Sequence, residues 1–262
     1  MPIICEKRGQ VGVLTLSRPE ARNAWCEDFY AELRGGLRTL EEDPAIRCAI
    51  MTGDEAGGAF CAGANLKDPN THVLNSVGDF IRNLPNRRFH AFRAIDDFPK
   101  PLIGAVNGYA IGIGAIVTWC CDLIVASERA EWRLTQVKLG IIPAQAALVR
   151  LARWVGKGNA MRLGMGFPLK ADEAGRIGLA QWVVPHAELM AKAMEVAGQI
   201  AGYPPLASRL TKESLNQGMN MPNLADAALM DLYRFTTLEG TADKKESHDA
   251  WRERRAPQIK DQ

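Results

Sequence analysis

Short apolar runs alternate with amphipathic stretches over the first two thirds of the chain, after which helical periodicity alone remains. Val11–Leu16 and residues 46–52 read as strands, the first of them stopped by Ser17, Arg18 and Pro19. Between them, Phe29, Leu33, Leu37 and Leu40 recur at helical spacing. This predicts a helix with Asn23 as a candidate cap and with Glu27 and Asp28 where the helix dipole favours acids. The densest stretch is 101–127. Leu102–Val106 is an apolar run, Asn107, Gly108, Gly112 and Gly114 crowd a turn, residues 115–121 are again apolar, and 123–126 resembles a second strand. The order is strand, glycine-rich turn, buried helix, strand. Residues 60–67 compress small side chains into another turn that opens towards a helix.

The segment 69–100 is more polar. Pro69, Pro85, Pro99 and Pro101 bound a helix whose apolar side includes Phe89, Phe92 and Ile95, and this segment is expected to vary and to shape the substrate pocket. Trp132 marks a further short strand, and residues 139–143 turn the chain into a helix from about 145 to 155. Alternation of this kind predicts repeated crossover units and an α/β core. From Glu188 the segments 188–201, 205–217, 223–239 and 242–255 read as helices, broken at 202–205 and at 221–222. The expected division is therefore a core over 1–187 and a helical region over 188–262. So thin a helical region buries little on its own and is expected to pack on the main body or on another subunit.

Charge narrows the functional classes. The 262 residues carry a net charge of +2 with the signs mixed, so no global field favours nucleic acid or a membrane surface. Even the modestly basic tail interleaves Glu246, Asp249 and Glu253, as a solvated helix face does. Cysteines stand at 5, 26, 48, 61, 120 and 121 without Cys-x-x-Cys spacing, which predicts reduced, mostly buried thiols and no metal site. With no basic and apolar leader and no run of about 20 apolar residues, a cytoplasmic protein is expected.

The glycine-rich turn admits two readings. Glycine lets the backbone approach a ligand closely, and the first amides of the following helix have no intrahelical acceptor, so a negative oxygen suits them. Equally, the glycines serve only to let a buried helix pack on its strand. Pattern alone leaves both open.

Three segments carry a specific resemblance: Phe60-Cys61-Ala62-Gly63-Ala64-Asn65-Leu66-Lys67, Pro101-Leu102-Ile103-Gly104-Ala105-Val106-Asn107-Gly108-Tyr109-Ala110, and Cys121-Asp122-Leu123-Ile124-Val125-Ala126. In this order they resemble the crotonase family, also called the enoyl-CoA hydratase/isomerase family. Arg22-Asn23-Ala24, Val155-Gly156-Lys157, Gly178-Leu179-Ala180, Val183-Val184-Pro185 and Pro204-Pro205-Leu206-Ala207 extend the likeness over nearly the whole chain. The resemblance implies an α/β fold, a crotonase-like spiral of β-β-α repeats with a C-terminal helical trimerisation region, assembled as a homotrimer or homohexamer. It also implies an acyl-CoA thioester as substrate, with coenzyme A only as part of that substrate and no further cofactor. Two backbone N–H groups, at Ala64 and Ile113, would hold the thioester oxygen. Arg22, Ala24, Ala62, Asn65 and Leu66 match positions that line the nucleotide or pantetheine path, although Arg22 also reads as a surface charge and Leu66 as a core contact.

One departure stands out against that resemblance. The two glutamates with which family hydratases activate water align with Ile116 and Gln136. Isoleucine carries no proton, and glutamine can only orient a water or a substrate oxygen. Asp68, His72, Asp79, His90, Tyr109, Gln145 and Cys61 lie near the matched segments and are the candidate replacements, each with an ordinary structural role as the alternative. Asp122 matches a landmark outside the reacting centre and is expected to be structural. Three functions are compatible with these residues: an enolate-stabilising enzyme of the hydratase/isomerase type with altered acid–base groups, a decarboxylase or C–C hydrolase that relies on the oxyanion hole, and a non-catalytic acyl-CoA-binding protein.

Overall fold

A computed structural model describes residues 2–67, Gly78 and 87–261, with the side chains of 87–90 outside the description. Ten strands form two sheets among these residues. The larger has the order β1 (Ile3–Arg8), β2 (Val11–Leu16), β3 (Cys48–Gly53), β5 (Leu102–Val106), β7 (Leu123–Ser127) and β10 (Trp182–Val184). The smaller has β4 (Ala59–Cys61), β6 (Tyr109–Ile111), β8 (Glu131–Arg133) and β9 (Leu169–Lys170). Only β1 and β9 run antiparallel to their neighbours.

The chain visits the two sheets alternately. β3 leads to β4, β5 to β6 and β7 to β8, and a helix follows each pair: α2 (Arg87–Asp97), α3 (Ile113–Trp119) and α4 (Ala147–Gly164). This is the expected spiral of β-β-α turns. Parallel strands covered on both faces read as continuous apolar runs, and all six residues of β3 are buried. One face of the large sheet packs Leu14, Leu16 and Met51 against Phe29, Leu33, Leu37 and Leu40 of α1 (Glu27–Glu42). The opposite face packs Val13, Ile50, Ile103 and Val125 against Leu189, Ala193 and Val196 of α6 (Leu189–Ala201), which follows the short helix α5 (Ala171–Arg176).

The remaining helices, α7 (Pro205–Gly218), α8 (Leu224–Glu239) and α9 (Ala242–Glu253), end within two residues of where the periodicity puts them. A buried ion pair ties them to the site-bearing strands. The Lys212 Nζ lies 2.7 Å from Asp122, whose carboxylate also accepts the Leu102 N–H, and Lys212 donates to the Lys100 carbonyl. Burial pushes the Asp122 carboxyl up against the downward pull of Lys212. Asp122 is thus structural, as expected.

Three local readings need correction. Asn23 does not cap α1: Cys26 holds that position without a side-chain cap. Asn23 is instead fully buried, accepting from the Arg18 N–H and donating to the carbonyls of Asp54 and Ala59. Its polar side chain serves three backbone groups beside the ends of β2, β3 and β4, a use of asparagine that local sequence does not distinguish from capping. Second, the crowded turn after β5 contains a strand, β6, too short to show a period of its own. Third, the helix expected to end near 155 continues to Gly164 through a break at Gly156, where φ is 76°.

Candidate functional site

Two turns converge at one edge of the smaller sheet. The first is 62–66, at the end of β4, and it is stitched to 22–25 by backbone pairing. The Trp25 N–H donates to Gly63 and the Asn65 N–H to Trp25, so Ala64 bridges Trp25, while the Ala62 N–H donates to the Arg22 carbonyl. Arg22 and Asn23 both adopt left-handed backbone, with φ of 53° and 55°. Trp25 supports the turn from below, stacked on Phe29 at 5.1 Å and on Phe92 at 6.4 Å. Sequence pattern gave no sign of this role for Trp25, because a single aromatic in a turn carries no periodicity.

The second turn is Gly112 leading into α3. Gly112 has φ 55° and ψ −115°, a conformation that glycine adopts without strain, and its N–H donates to the Arg133 carbonyl across β6 and β8. The two turns touch. A Cβ on Gly63 would lie 3.1 Å from the Ile111 carbonyl oxygen, and one on Gly114 only 2.5 Å from the Cys61 carbonyl oxygen. Small residues are therefore required on both sides of the contact. In the bridging pattern the Ala64 N–H is the one left over, and Ile113 is the first residue of its helix. Among the described residues neither N–H has an acceptor.

The turn residues matched to the CoA path come together on this surface. Arg22 and Leu66 are exposed, Leu66 by 62%, which rules out the core contact considered for it. Ala62 and Asn65 are half-buried, and Ala24 is buried. Ile116, one turn into α3, is 3% exposed. Gln136 opens the 3₁₀ turn Gln136–Leu139 and reaches Gly112: its Nε2 lies 3.4 Å from where a Gly112 Cβ would be.

The candidate replacement acids and bases fare differently. Asp68, His72 and Asp79 lie outside the described residues, and so does the side chain of His90, a residue of α2. Cys61 is fully buried, and desolvation pushes its thiol up to about 12, the opposite of what a nucleophile or base requires. Tyr109 lies 5.1 Å beneath the Arg133 guanidinium, which is itself paired with Glu131. Gln145, half-buried with φ 61°, accepts from Arg150 Nε through its carbonyl, and Arg150 is held by both oxygens of Asp96. No hydrogen bond joins Gln145 to Gln136 among the described residues. No group of three or more potential metal ligands occurs among them either. No described helix is long and apolar enough to cross a membrane.

Residues 6–262 match the family model described as enoyl-CoA hydratase/isomerase. The chain is 36% identical over 256 residues to the short-chain-enoyl-CoA hydratase of Clostridium acetobutylicum, covering 97% of this chain and 95% of that one. It is 35% identical over 260 residues to the crotonyl-CoA hydratase of Syntrophomonas wolfei, at the same two coverages. Among solved structures, that of an enoyl-CoA hydratase from Bacillus anthracis superposes with a TM-score of 0.92 at 31% identity and full coverage of both chains.

Proposed function

The chain belongs to the enoyl-CoA hydratase/isomerase family, and from that premise we propose that it binds an acyl-CoA thioester with the carbonyl oxygen between the N–H groups of Ala64 and Ile113. What supports this reading is the contact between the two turns that carry these donors, neither of which has an acceptor among the described residues. Charge that develops on the thioester oxygen as an enolate forms is stabilised by fixed donors that need no reorganisation. Arg22, Ala24, Ala62, Asn65 and Leu66 flank the same turns and supply the surface for the CoA portion.

The acid–base half of a hydratase is missing from the two positions where the family carries it. Ile116 carries no proton and Gln136 moves none near neutral pH, and general acid–base catalysis is worth about 10²–10⁴ in rate. The enzyme therefore works through enolate stabilisation, with slow hydration of simple enoyl thioesters. The lack of a carboxylate at these positions favours a second reading, decarboxylation or C–C cleavage of an acyl-CoA. There the electrons of the breaking bond flow into the thioester, so no base has to remove a proton at the α-carbon. A non-catalytic acyl-CoA binder is the third.

Incubating pure protein with a panel of enoyl-, 3-hydroxyacyl-, malonyl- and 3-ketoacyl-CoA thioesters, followed by mass spectrometry, separates the three. A change of mass by water, by CO₂ or by cleavage identifies the reaction. Binding without any mass change, and without isomerisation of the enoyl thioester resolved by chromatography, leaves the binder.

A homotrimer or homohexamer accompanies the proposal. Its support is the set of large apolar side chains that the terminal helices leave in solvent, including Leu224, Leu232, Tyr233, Phe235 and Trp251. Light scattering showing only monomer at micromolar concentration overturns it.

A further inference from the structure

On the face of the large sheet that carries α6, a groove of about 530 Å³ lies between the helix and β1. Val13 of β2 and Leu189 and Met190 of α6 form its apolar side, and none of the residues of the two thioester turns lines it. The polar side is built around Glu55, whose side chain is 70% exposed and yet held at both oxygens. His186 Nε2 lies 2.6 Å from one, and Asn107 Nδ2 lies 3.4 Å from the other. A carboxylate only accepts, so the ring presents Nε2–H to it, and in the neutral ring Nδ1 takes the Ser127 hydroxyl proton at 3.0 Å. Ser127, His186 and Glu55 stand in the order of a nucleophile relay, but Ser127 is fully buried and does not line the groove. The chain of hydrogen bonds therefore fixes a carboxylate and activates no alcohol. Asn107 completes the arrangement. It lines the groove, is only 5% exposed, and donates to the Gly53 carbonyl at 3.0 Å as well as to Glu55, which settles which end of its carboxamide is oxygen. That oxygen is buried without a hydrogen-bond partner, a costly state for an acceptor that has given up water.

We propose that this groove is a second ligand site, separate from the thioester site, for a primary aliphatic amine carried as its ammonium ion. The ammonium N–H groups go to Glu55 and to the unpartnered Asn107 oxygen, and the hydrocarbon lies on Val13, Leu189 and Met190. The sign of the ligand follows from the lining. Glu6, Asp54 and Glu55 stand against one guanidinium, that of Arg8, which is itself paired with Glu6 at 3.0 Å. Both ring nitrogens of His186 are engaged, so an anion gains nothing from them. A bare metal ion does not suit the site either, because no three potential ligands converge among the described residues. An extended cation with an apolar stem does, and the volume is that of a small-molecule pocket.

Titration calorimetry with butylammonium, tetramethylammonium and butyrate tests the proposal, at about 0.15 M salt so that long-range attraction is screened. Wild-type protein should bind butylammonium about tenfold more tightly than tetramethylammonium, which has the charge but no N–H, and should not bind butyrate. Glu55→Gln, at a side chain exposed enough to leave the fold intact, should weaken butylammonium about tenfold. Equal affinity for the two cations, undiminished binding in Glu55→Gln, or no amine binding by wild-type protein overturns the site, and none of these results bears on the thioester reading.

Discussion

The two halves of the candidate site are made of different material. One half is backbone: the N–H groups of Ala64 and Ile113, aimed by turns whose close contact forbids a side chain at Gly114 and strains one at Gly63. The other half is side chain, at Ile116 and Gln136, where nothing in the fold dictates identity. Backbone donors tolerate any residue that carries an N–H, so an isoleucine at 113 leaves the donor intact. A side-chain acid is lost with one substitution, and the surrounding structure barely registers it. On the proposed reading the fold and the oxygen-binding geometry persist while the proton chemistry is open to change, so that membership of the family would say more about the enolate than about what is done with it.

Restoring the side-chain half is the strongest challenge to this contrast. Ile116→Glu with Gln136→Glu should raise the hydration of crotonyl-CoA above wild type, by up to about 10²–10⁴ if the new pair reaches the substrate. Loss of the enoyl ultraviolet absorbance reports the rate. Fast hydration by the unmodified protein would mean that a residue such as Asp68 or His90 supplies the proton transfer, or that Gln145 orients the water. Stability gives a second reading. A carboxyl buried at 116 beside another has its folded pKa raised above its unfolded value. The variant therefore keeps its stability at pH below the unfolded value and loses it as pH rises through the folded one. Melting should show a larger deficit against wild type at pH 8 than at pH 5.

Deleting the backbone half should cost somewhat less. Ile113→Pro removes one donor at the first position of a helix, where proline is well accommodated. Ala64→Pro removes the other, and the bridge to Trp25 does not use the Ala64 N–H. Each should lower any turnover by about 10²–10³ with little change in the melting temperature. Equal turnover in either variant removes that donor from the mechanism.

These differences also explain what the sequence made legible. The alternation of strands and helices, the terminal helices and the paired turns were readable because each has a local signature: apolar runs, helical periodicity, crowded small residues; the β-β-α order was implied only by the family resemblance. Asn23 misled because one side chain type serves both helix caps and buried turns. Strand β6, three residues long between Gly108 and Gly112, carries too little period to be seen. The contact of Gly114 with Cys61 joins residues 53 positions apart in sequence, and no window on the chain contains it. Ile116 and Gln136 were visible as departures, but the unpaired state of the Gln136 carboxamide oxygen became apparent only from its surroundings.

That long-range contact can be probed directly. In Gly114→Ala the new methyl meets the Cys61 carbonyl at 2.5 Å and its Cβ at 2.7 Å, and a backbone atom cannot rotate away. Overpacking of this kind costs about 1–3 kcal/mol, measurable as a lower urea midpoint. Because the shift separates the two turns, turnover should fall further than stability. A variant as stable and as active as wild type would show that the turns are not held by this contact.

The smallest expected effect concerns the thiol between the two halves. Cys61 ends β4, its carbonyl touches Gly114, and it is the one titratable candidate at the site whose protonation the structure fixes. Desolvation raises its pKa from 9.0 to about 12. At pH 8 only about one molecule in ten thousand then carries a thiolate, and the fraction grows about tenfold per pH unit. A group this inert neither attacks the thioester nor accepts a proton from it. Iodoacetamide at pH 8 should therefore label the exposed Cys5 and leave Cys61 unmodified, with no change in turnover. Cys61→Ala should likewise retain activity, at a modest cost in stability from the lost buried sulfur. Inactivation that tracks labelling of Cys61, mapped by peptide mass spectrometry, would instead assign it the proton-transfer role that Ile116 and Gln136 lack.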